Sequence, residues 1–156
     1  YITSSTTLPY GACSLGFSPK LINKIYGACK IYDTRSGLDP DFPEELLNDM
    51  ELLSICNEGK EYGVTTGRRR KVNWLDIQKL EKAINISGTT HLIISKIDIF
   101  KNLNLYKLLN NNIISFNSID TMKEYIEAYL YNNCSQLENI IYSDNVENIE
   151  NIPYVS

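Results

Sequence analysis

The order of helix and strand that decides the fold is contained in residues 74–98, whose sequence is WLDIQKLEKAINISGTTHLIISKID. From residue 74 to residue 86 apolar side chains recur at helical spacing and charged ones fall on the other side, which predicts an amphipathic helix. Residues 89–95 are a short, largely apolar run after Ser87 and Gly88, which is typical of a buried parallel strand. This alternation predicts an α/β fold with a mainly parallel sheet flanked by helices.

The predicted strand is followed at once by Lys96-Ile97-Asp98. Ligands of such sheets bind beyond the carboxyl ends of the strands, so these residues are candidate ligand contacts. The Asp98 carboxylate can accept hydrogen bonds from N1 and N2 of guanine, while the stem of Lys96 can pack along the base. A three-residue motif is a weak signal by itself, and the alternative is that Asp98 caps a turn after the strand.

Upstream of the helix lies the basic loop, residues 63–71, with the sequence GVTTGRRRK. Its glycines allow a tight turn close to a ligand, and its threonines offer hydroxyl and amide donors. Its arginines can hold carboxylate or phosphate groups through two parallel hydrogen bonds. We therefore predict an anion-binding loop, with a solvated basic turn as the alternative. The candidate ligand residues are Val64, Thr65, Thr66, Gly67, Arg68, Arg69 and Arg70.

Composition narrows the class of protein. The 156 residues suit a single domain, and a net charge of −4 argues against a nucleic-acid-binding surface, which would be broadly basic. The apolar runs are too short to span a bilayer and no secretory signal is evident, so we expect a soluble, cytoplasmic protein that binds no membrane. Four well-separated cysteines beside the single histidine, His91, favour free thiols and no metal site in this chain.

The remaining segments have weaker local patterns. Towards the N-terminus we predict a strand at residues 1–3 that runs into a hydroxyl-rich loop, then a Ser18-capped helix from Pro19 with Leu21, Ile22, Ile25, Ala28 and Cys29 on one face. A short strand over residues 31–35, a loop over 37–43 and a helix over 44–57 ended by Gly59 follow. Beyond residue 100 we expect an irregular connection over 101–117, a helix from Thr121 to about 132 capped by Ser118 or Asp120, and a last strand over 140–142.

Taken in order, these motifs resemble adenylosuccinate synthetase. Val-Thr-Thr-Gly-Arg-Arg-Arg at 64–70, Trp-Leu-Asp at 74–76 and Lys-Ile-Asp at 96–98 keep that family's order and spacing. The opening Tyr-Ile-Thr-Ser-Ser is similar to its Tyr-Val-Thr-Ser-Ser. Residues 32–44 carry segments similar to its Thr-Arg-Val-Gly and Pro-Phe-Pro-Thr-Glu. The resemblance covers residues 1 to about 100 and is weak beyond them.

The resemblance implies a GTP-dependent ligase that joins IMP to L-aspartate in AMP biosynthesis. In that family GTP passes its γ-phosphate to the 6-oxygen of IMP, and the aspartate amine then displaces phosphate to give adenylosuccinate. By position, Thr3 and Arg68 match contacts to IMP, and residues 64–70 match the loop that closes on aspartate. The GTP-binding candidates are Arg70, Lys96, Ile97, Asp98 and Ser143, the last standing where the family has Ser-Thr-Gly-Pro.

Several parts of the family pattern are missing. Its glycine-rich phosphate loop, catalytic aspartate and histidine, and Mg²⁺ site belong to an N-terminal half, and no Gly-x-x-x-x-Gly-Lys loop occurs here. We therefore expect residues 1–156 to be a single partial domain, the C-terminal half of a P-loop-NTPase-like fold, inactive without the missing half. The resemblance also implies a homodimer. Two alternatives remain open: a phage-type enzyme that joins aspartate to dGMP and makes 2-aminoadenylosuccinate, and a non-catalytic nucleotide-binding module.

Overall fold

The structure is a computed structural model that describes residues 8–144. Its helices are α1 (Leu8–Leu15), α2 (Met50–Glu58), α3 (Ile77–Ser87), α4 (Ile97–Leu103) and α5 (Ile119–Asn133). Its strands are β1 (Tyr26–Lys30), β2 (Tyr32–Arg35), β3 (Lys71–Trp74), β4 (His91–Ser95), β5 (Lys107–Asn110), β6 (Asn112–Ser115) and β7 (Asn139–Tyr142). Two short 3₁₀ helices are Pro19–Leu21 and Glu44–Asn48.

A three-stranded parallel sheet forms the centre of the fold, in the order β1-β4-β7. Strand β1 pairs with β4 from Tyr26 opposite His91 onward, and β7 pairs with the other edge of β4. Strands β2 and β3 form a separate antiparallel pair, and β5 and β6 form a hairpin. The predicted α/β fold with a parallel sheet flanked by helices is therefore confirmed.

The helix and strand of residues 74–98 form as predicted, with one shift in the start of the helix. The Asp76 carboxylate accepts hydrogen bonds from the backbone N–H groups of Gln78 and Lys79, so α3 begins at Ile77, while Trp74 belongs to β3. At the other end Gly88 adopts φ +69°, a left-handed conformation that suits glycine and stops the helix. The predicted apolar face is the buried one, and it includes Ile77, Leu80 and Ile84.

The helix predicted after Pro19 is wrong. Ser18 caps a helical turn as expected, because its side chain accepts from the N–H of Lys20, but this 3₁₀ helix ends at Leu21. The chain then enters β1, where its backbone groups pair with β4, more than 60 residues away in sequence. A short apolar run fits a helix or a strand equally well, and the distant partner decided between them.

The single helix predicted over residues 44–57 is also wrong. It is a 3₁₀ helix followed by α2, because the Asp49 side chain caps a new start by accepting from the N–H groups of Glu51 and Leu52. After the restart the buried face of α2 is formed by Leu52, Ile55 and Cys56, while Met50 at its start is 74% exposed. Gly59 ends the helix, as predicted.

Residues 101–117 are regular, which contradicts the expected irregular connection. They contain the end of α4 and the hairpin of β5 and β6. Asn104 and Asn111 have φ angles of +52° and +57°, and asparagine tolerates this left-handed conformation at turns. The cap of α5 at Ser118 and the strand β7 agree with prediction. The expected strand at residues 1–3 lies outside the described residues.

An aromatic cluster connects the β2–β3 pair to the region that follows the central strand. The ring of Phe100 in α4 lies with its centroid 6.1 Å from those of Tyr32 and Trp74. This packing places β3, into which the basic loop leads, next to α4, the helix that follows β4. Within residues 8–144 no helix is long and apolar enough to cross a membrane.

Candidate functional site

The basic loop is a hairpin with a hydrogen-bonded stem. The N–H of Arg70 donates to the carbonyl of Glu61 over 2.9 Å, and the N–H of Gly63 donates to the carbonyl of Arg68 over 2.8 Å. Gly67 turns the chain with φ +62° and donates its N–H to the carbonyl of Gly63. The stem therefore holds residues 61–70 in one defined backbone path.

The tip of the hairpin, residues 64–67, is exposed, and Val64 is 99% exposed. The hydroxyl of Thr66 accepts a hydrogen bond from the N–H of Arg68 over 3.3 Å, which bends the tip back towards the stem. A Cβ atom on Gly63 would stand 2.8 Å from that hydroxyl oxygen, so a larger residue there would displace the Thr66 side chain. The tip presents backbone amides and hydroxyls to solvent, as an anion-binding turn requires.

The three arginines have different surroundings. The guanidinium of Arg69 donates to the carbonyl of Leu47 over 2.9 Å. A terminal nitrogen of Arg70 lies 3.4 Å from a carboxylate oxygen of Glu61. Arg68 is exposed, and within residues 8–144 its side chain forms no hydrogen bond or ion pair. Arg68 is therefore the arginine of the loop with all its donors available to a ligand.

A cavity of about 400 Å³ lies between the loop and the end of β2. Its walls include Arg35, Ser36, Gly37, Thr66, Arg68 and Lys71. This volume lies within the range of small-molecule sites. The charged residues among its described lining are all cations, so the cavity suits a small anion.

Two of these cations already have counter-charges outside the cavity. The Nε atom of Arg35 lies 2.9 Å from an Asp39 oxygen, an ion pair that lacks hydrogen-bond geometry. The buried ammonium of Lys71 pairs with Glu44. Arg68 has no such neighbour in the described chain, so the uncompensated charge of the cavity is concentrated at the loop.

The predicted guanine-reading triplet lies at the carboxyl end of β4. The backbone of Lys96 is left-handed, with φ +68°. Its side-chain ammonium donates a hydrogen bond to the carbonyl of Gly59 over 3.4 Å. The side chain of Ile97 is buried, and its N–H donates to the carbonyl of Ser143 over 3.4 Å, which brings two of the GTP-binding candidates together. Asp98 is partly exposed in the first turn of α4.

Tyr32 connects the triplet to the basic loop. Its hydroxyl donates to a Glu61 oxygen over 2.8 Å. Burial raises the pKa of Tyr32, and the nearby negative charges of Glu61 and Asp98 raise it further. The charge of Asp98 thus acts on the same tyrosine that contacts the stem of the loop.

Glu61 is a central residue that the sequence analysis missed. It is 4% exposed and accepts from Lys30, Tyr32 and Arg70. Burial by itself would raise the pKa of Glu61. The hydrogen bonds from Lys30 and Tyr32, with the charges of Lys30 and Arg70, outweigh burial and hold this pKa below its ordinary value. The sequence offered one sign of this role: an acidic residue, Glu61, stands two positions before the first glycine of the basic loop.

No group of three or more His, Cys, Asp or Glu side chains in residues 8–144 could hold a metal ion. His91 is buried in β4, where its Nδ1 lies 2.8 Å from the Thr90 hydroxyl. No described residue is therefore assigned to Mg²⁺. All four cysteines are free thiols. Thr3, the candidate contact to the IMP phosphate, lies outside the described residues.

Comparisons with known proteins agree on one family. A family model described as adenylosuccinate synthetase matches residues 1–136. Adenylosuccinate synthetase of Petrotoga mobilis is 40% identical over 121 residues, covering 78% of this chain and 28% of the relative. The enzyme of the same name from Scheffersomyces stipitis is 45% identical over 124 residues, covering 74% and 28% respectively. The chain thus spans less than a third of the length of these relatives.

The fold is similar to that of a solved structure. The fully ligated adenylosuccinate synthetase of Plasmodium falciparum matches with a TM-score of 0.60 and 24% sequence identity. The match covers 90% of this chain and 42% of the solved one.

Proposed function

Because the chain belongs to the adenylosuccinate synthetase family, we propose that it is part of a ligase that joins IMP to L-aspartate with hydrolysis of GTP. In this proposal the chain supplies the aspartate loop and the guanine-reading site. The observation that carries it is the basic cavity, where Arg68 and Thr66 line about 400 Å³ at the exposed tip of the loop.

The chemistry of aspartate suits the cavity. L-aspartate carries two carboxylates, and a site for it beside nucleotide phosphates needs cations that stay charged. Arginine is never deprotonated in proteins, and its planar fork matches a carboxylate. We assign one carboxylate to Arg68 and the other to the hydroxyls and amides of the tip, within the positive field of Arg35 and Lys71.

We assign the guanine of GTP to the residues after β4. The Asp98 carboxylate is accessible and can accept from N1 and N2 of the base. The ammonium of Lys96 contacts the carbonyl of Gly59, which ends α2 four residues before the loop, so the nucleotide would extend from the triplet towards Arg70. Ser143 is a neighbouring candidate because its carbonyl accepts from Ile97.

The proposal leaves the remaining chemistry to parts of the enzyme outside the described residues. We assign the IMP phosphate to Thr3, and Mg²⁺ and the catalytic groups to an N-terminal half. We also propose a homodimer. The chain by itself is therefore expected to release no phosphate.

The test is a substrate-omission assay on the complete enzyme that contains this chain. Phosphate release should require GTP, IMP and L-aspartate together, and the product should be adenylosuccinate by mass. Release that requires dGMP in place of IMP would favour the phage-type alternative. Absence of any aspartate-dependent release would reject the ligase and favour a nucleotide-binding module.

A further inference from the structure

We propose that Glu61 is a positioning residue whose buried carboxylate orients the Arg70 guanidinium at the base of the loop. The kinetic consequence of this inference rests on the proposed function. Its structural consequence rests on the geometry of the stem alone.

The carboxylate of Glu61 accepts hydrogen bonds from side chains in β1, in β2 and in the basic loop. One oxygen accepts from the Lys30 ammonium over 2.6 Å and from the Tyr32 hydroxyl over 2.8 Å. The other lies 3.4 Å from a terminal nitrogen of Arg70. A carboxylate that is 4% exposed keeps its charge only when it is paired in this way. Glu61 thereby connects the last residue of β1 and the first residue of β2 to Arg70 at the end of the basic loop.

Arg70 is held at one end only. Its backbone N–H and one terminal nitrogen both face Glu61, and its Nε atom is buried without a hydrogen-bond partner in the described chain. Its side chain is 35% exposed. A guanidinium that is already oriented loses less entropy when it binds an anion. Glu61 thus orients the partly exposed Arg70, whose other terminal nitrogen has no partner within residues 8–144, whereas Arg68 has no such support.

The charge balance supports the same role. Two cations, Lys30 and Arg70, share one carboxylate, so the cluster keeps a net positive charge. Without the carboxylate the two cations would repel each other, and Arg70 would turn towards solvent. The position of Arg70 therefore depends on the charge of Glu61 and not only on the fold of the hairpin.

Nitrogen-15 relaxation of the arginine side chains in the complete protein that contains this chain tests the structural part. In the wild type the Arg70 and Arg69 Nε signals should be restrained and that of Arg68 mobile. Glu61→Gln should make Arg70 as mobile as Arg68 and leave Arg69 unchanged, because Leu47 holds Arg69. An Arg70 that stays restrained in this variant overturns the proposal whatever the activity.

The matched control is Glu81→Gln. It weakens the same kind of contact, a tyrosine hydroxyl on a carboxylate, because Tyr129 donates to Glu81 over 2.8 Å. This contact joins α5 to α3, away from the loop. The control should leave the mobility of all three arginines unchanged.

A second pair of variants keeps the proposal testable if the glutamine variant does not fold. Glu61→Asp retains the charge but withdraws the carboxylate by one methylene, so it should loosen Arg70. Tyr32→Phe removes one donor without moving the carboxylate, so it should leave Arg70 restrained. The reverse pattern would overturn the proposal.

A double-mutant cycle in the complete enzyme tests the kinetic part. Glu61→Gln should raise the KM for aspartate or GTP about tenfold, with a change in kcat under about threefold. In an Arg70→Ala background the same substitution should change that KM less than about twofold. Additive effects would mean that Glu61 acts only through general stability, which overturns the role. A wild-type enzyme without ligase activity would instead reject the proposed function, and the relaxation experiment would still decide on Glu61.

Discussion

The stem and the tip of the basic loop differ in how their polar groups are used. In the stem, Arg69 donates to Leu47 in the 3₁₀ helix Glu44–Asn48, and Glu61 is paired with Arg70 and with Lys30 of β1 and Tyr32 of β2. In the tip, residues 64–67 are exposed, and the Arg68 side chain has no partner in the described chain. The difference shows that a run of like cations can contain residues that are oriented by partners within the fold, such as Arg69 and Arg70, beside one, Arg68, that is not.

The largest effect predicted by this comparison is on binding by Arg68. Arg68→Ala in the complete enzyme should raise the KM for aspartate about ten- to a hundredfold, because a hydrogen bond to a charged group is worth about 1.5–3 kcal/mol. The unfolding free energy should change by less than about 0.5 kcal/mol, as for other exposed side chains. Steady-state kinetics and urea unfolding measure the two effects.

The matched control is Lys82→Ala, which removes an exposed cation from α3. It should change neither the KM for aspartate nor the unfolding free energy. Aspartate kinetics that are the same in Arg68→Ala and wild type would contradict the assignment of the tip to the ligand.

The next prediction concerns Asp98, a partly exposed carboxylate whose charge acts on Tyr32 beside the stem. Asp98→Asn replaces an acceptor with an amide donor that would face a guanine donor. The efficiency with GTP should fall several-fold to a hundredfold, given about 1–3 kcal/mol for an unsatisfied polar group. Xanthosine triphosphate has an oxygen where guanine has its 2-amino group, so preference should move towards XTP.

The ratio of kcat/KM for GTP to that for XTP, measured on wild type and variant, tests whether Asp98 binds guanine. A general loss of stability lowers both values equally and cancels from this ratio. If Asp98 only caps a turn, the ratio should stay constant while stability falls. A constant ratio would therefore remove Asp98 from the nucleotide site.

The smallest predicted effect concerns Asp33 of β2, a buried carboxylate that, unlike Glu61, has no cation bonded to it within the described residues. Within the described chain Asp33 forms no ion pair, and burial raises its pKa to about 6, with the charge of Asp76 adding to the shift. The folded state therefore binds this proton more tightly than the unfolded state does, so this group stabilises the fold less as pH rises from about 4 to above 6. Asp33→Asn should stabilise the protein at pH 7.5 by about 1 kcal/mol.

Urea unfolding at pH 5 and pH 7.5 measures this effect. The gain from Asp33→Asn should shrink at pH 5, and the amide can still accept the hydrogen bond from the N–H of Asp76. Glu138→Gln, which alters an exposed carboxylate, should show no such pH difference. A variant that is equally destabilised at both pH values would contradict the raised pKa.

The elements that could be predicted are those with local causes. The helix α3 and the strand β4 follow from periodicity and from a glycine stop, and α5 follows from its cap at Ser118. The loop was recognised because its residue types are rare in combination. The helix expected in place of β1 and the missed restart at Asp49 show the limit of this reasoning, since pattern alone does not reveal a distant strand partner or which cap prevails.

The sequence by itself determined the family, the α/β class and the residues rich enough in donors to bind an anion, because residue type and spacing carry these properties. Only the tertiary structure decided that Arg69 and Arg70 are held while Arg68 is free, and that Glu61 stays charged although buried. The partners responsible, Lys30 and Tyr32, lie about 30 residues from Glu61 in the chain. Their contacts exist only after β1 and β2 have packed beside the loop, since electrostatic pairing depends on distance in space and not on separation in sequence.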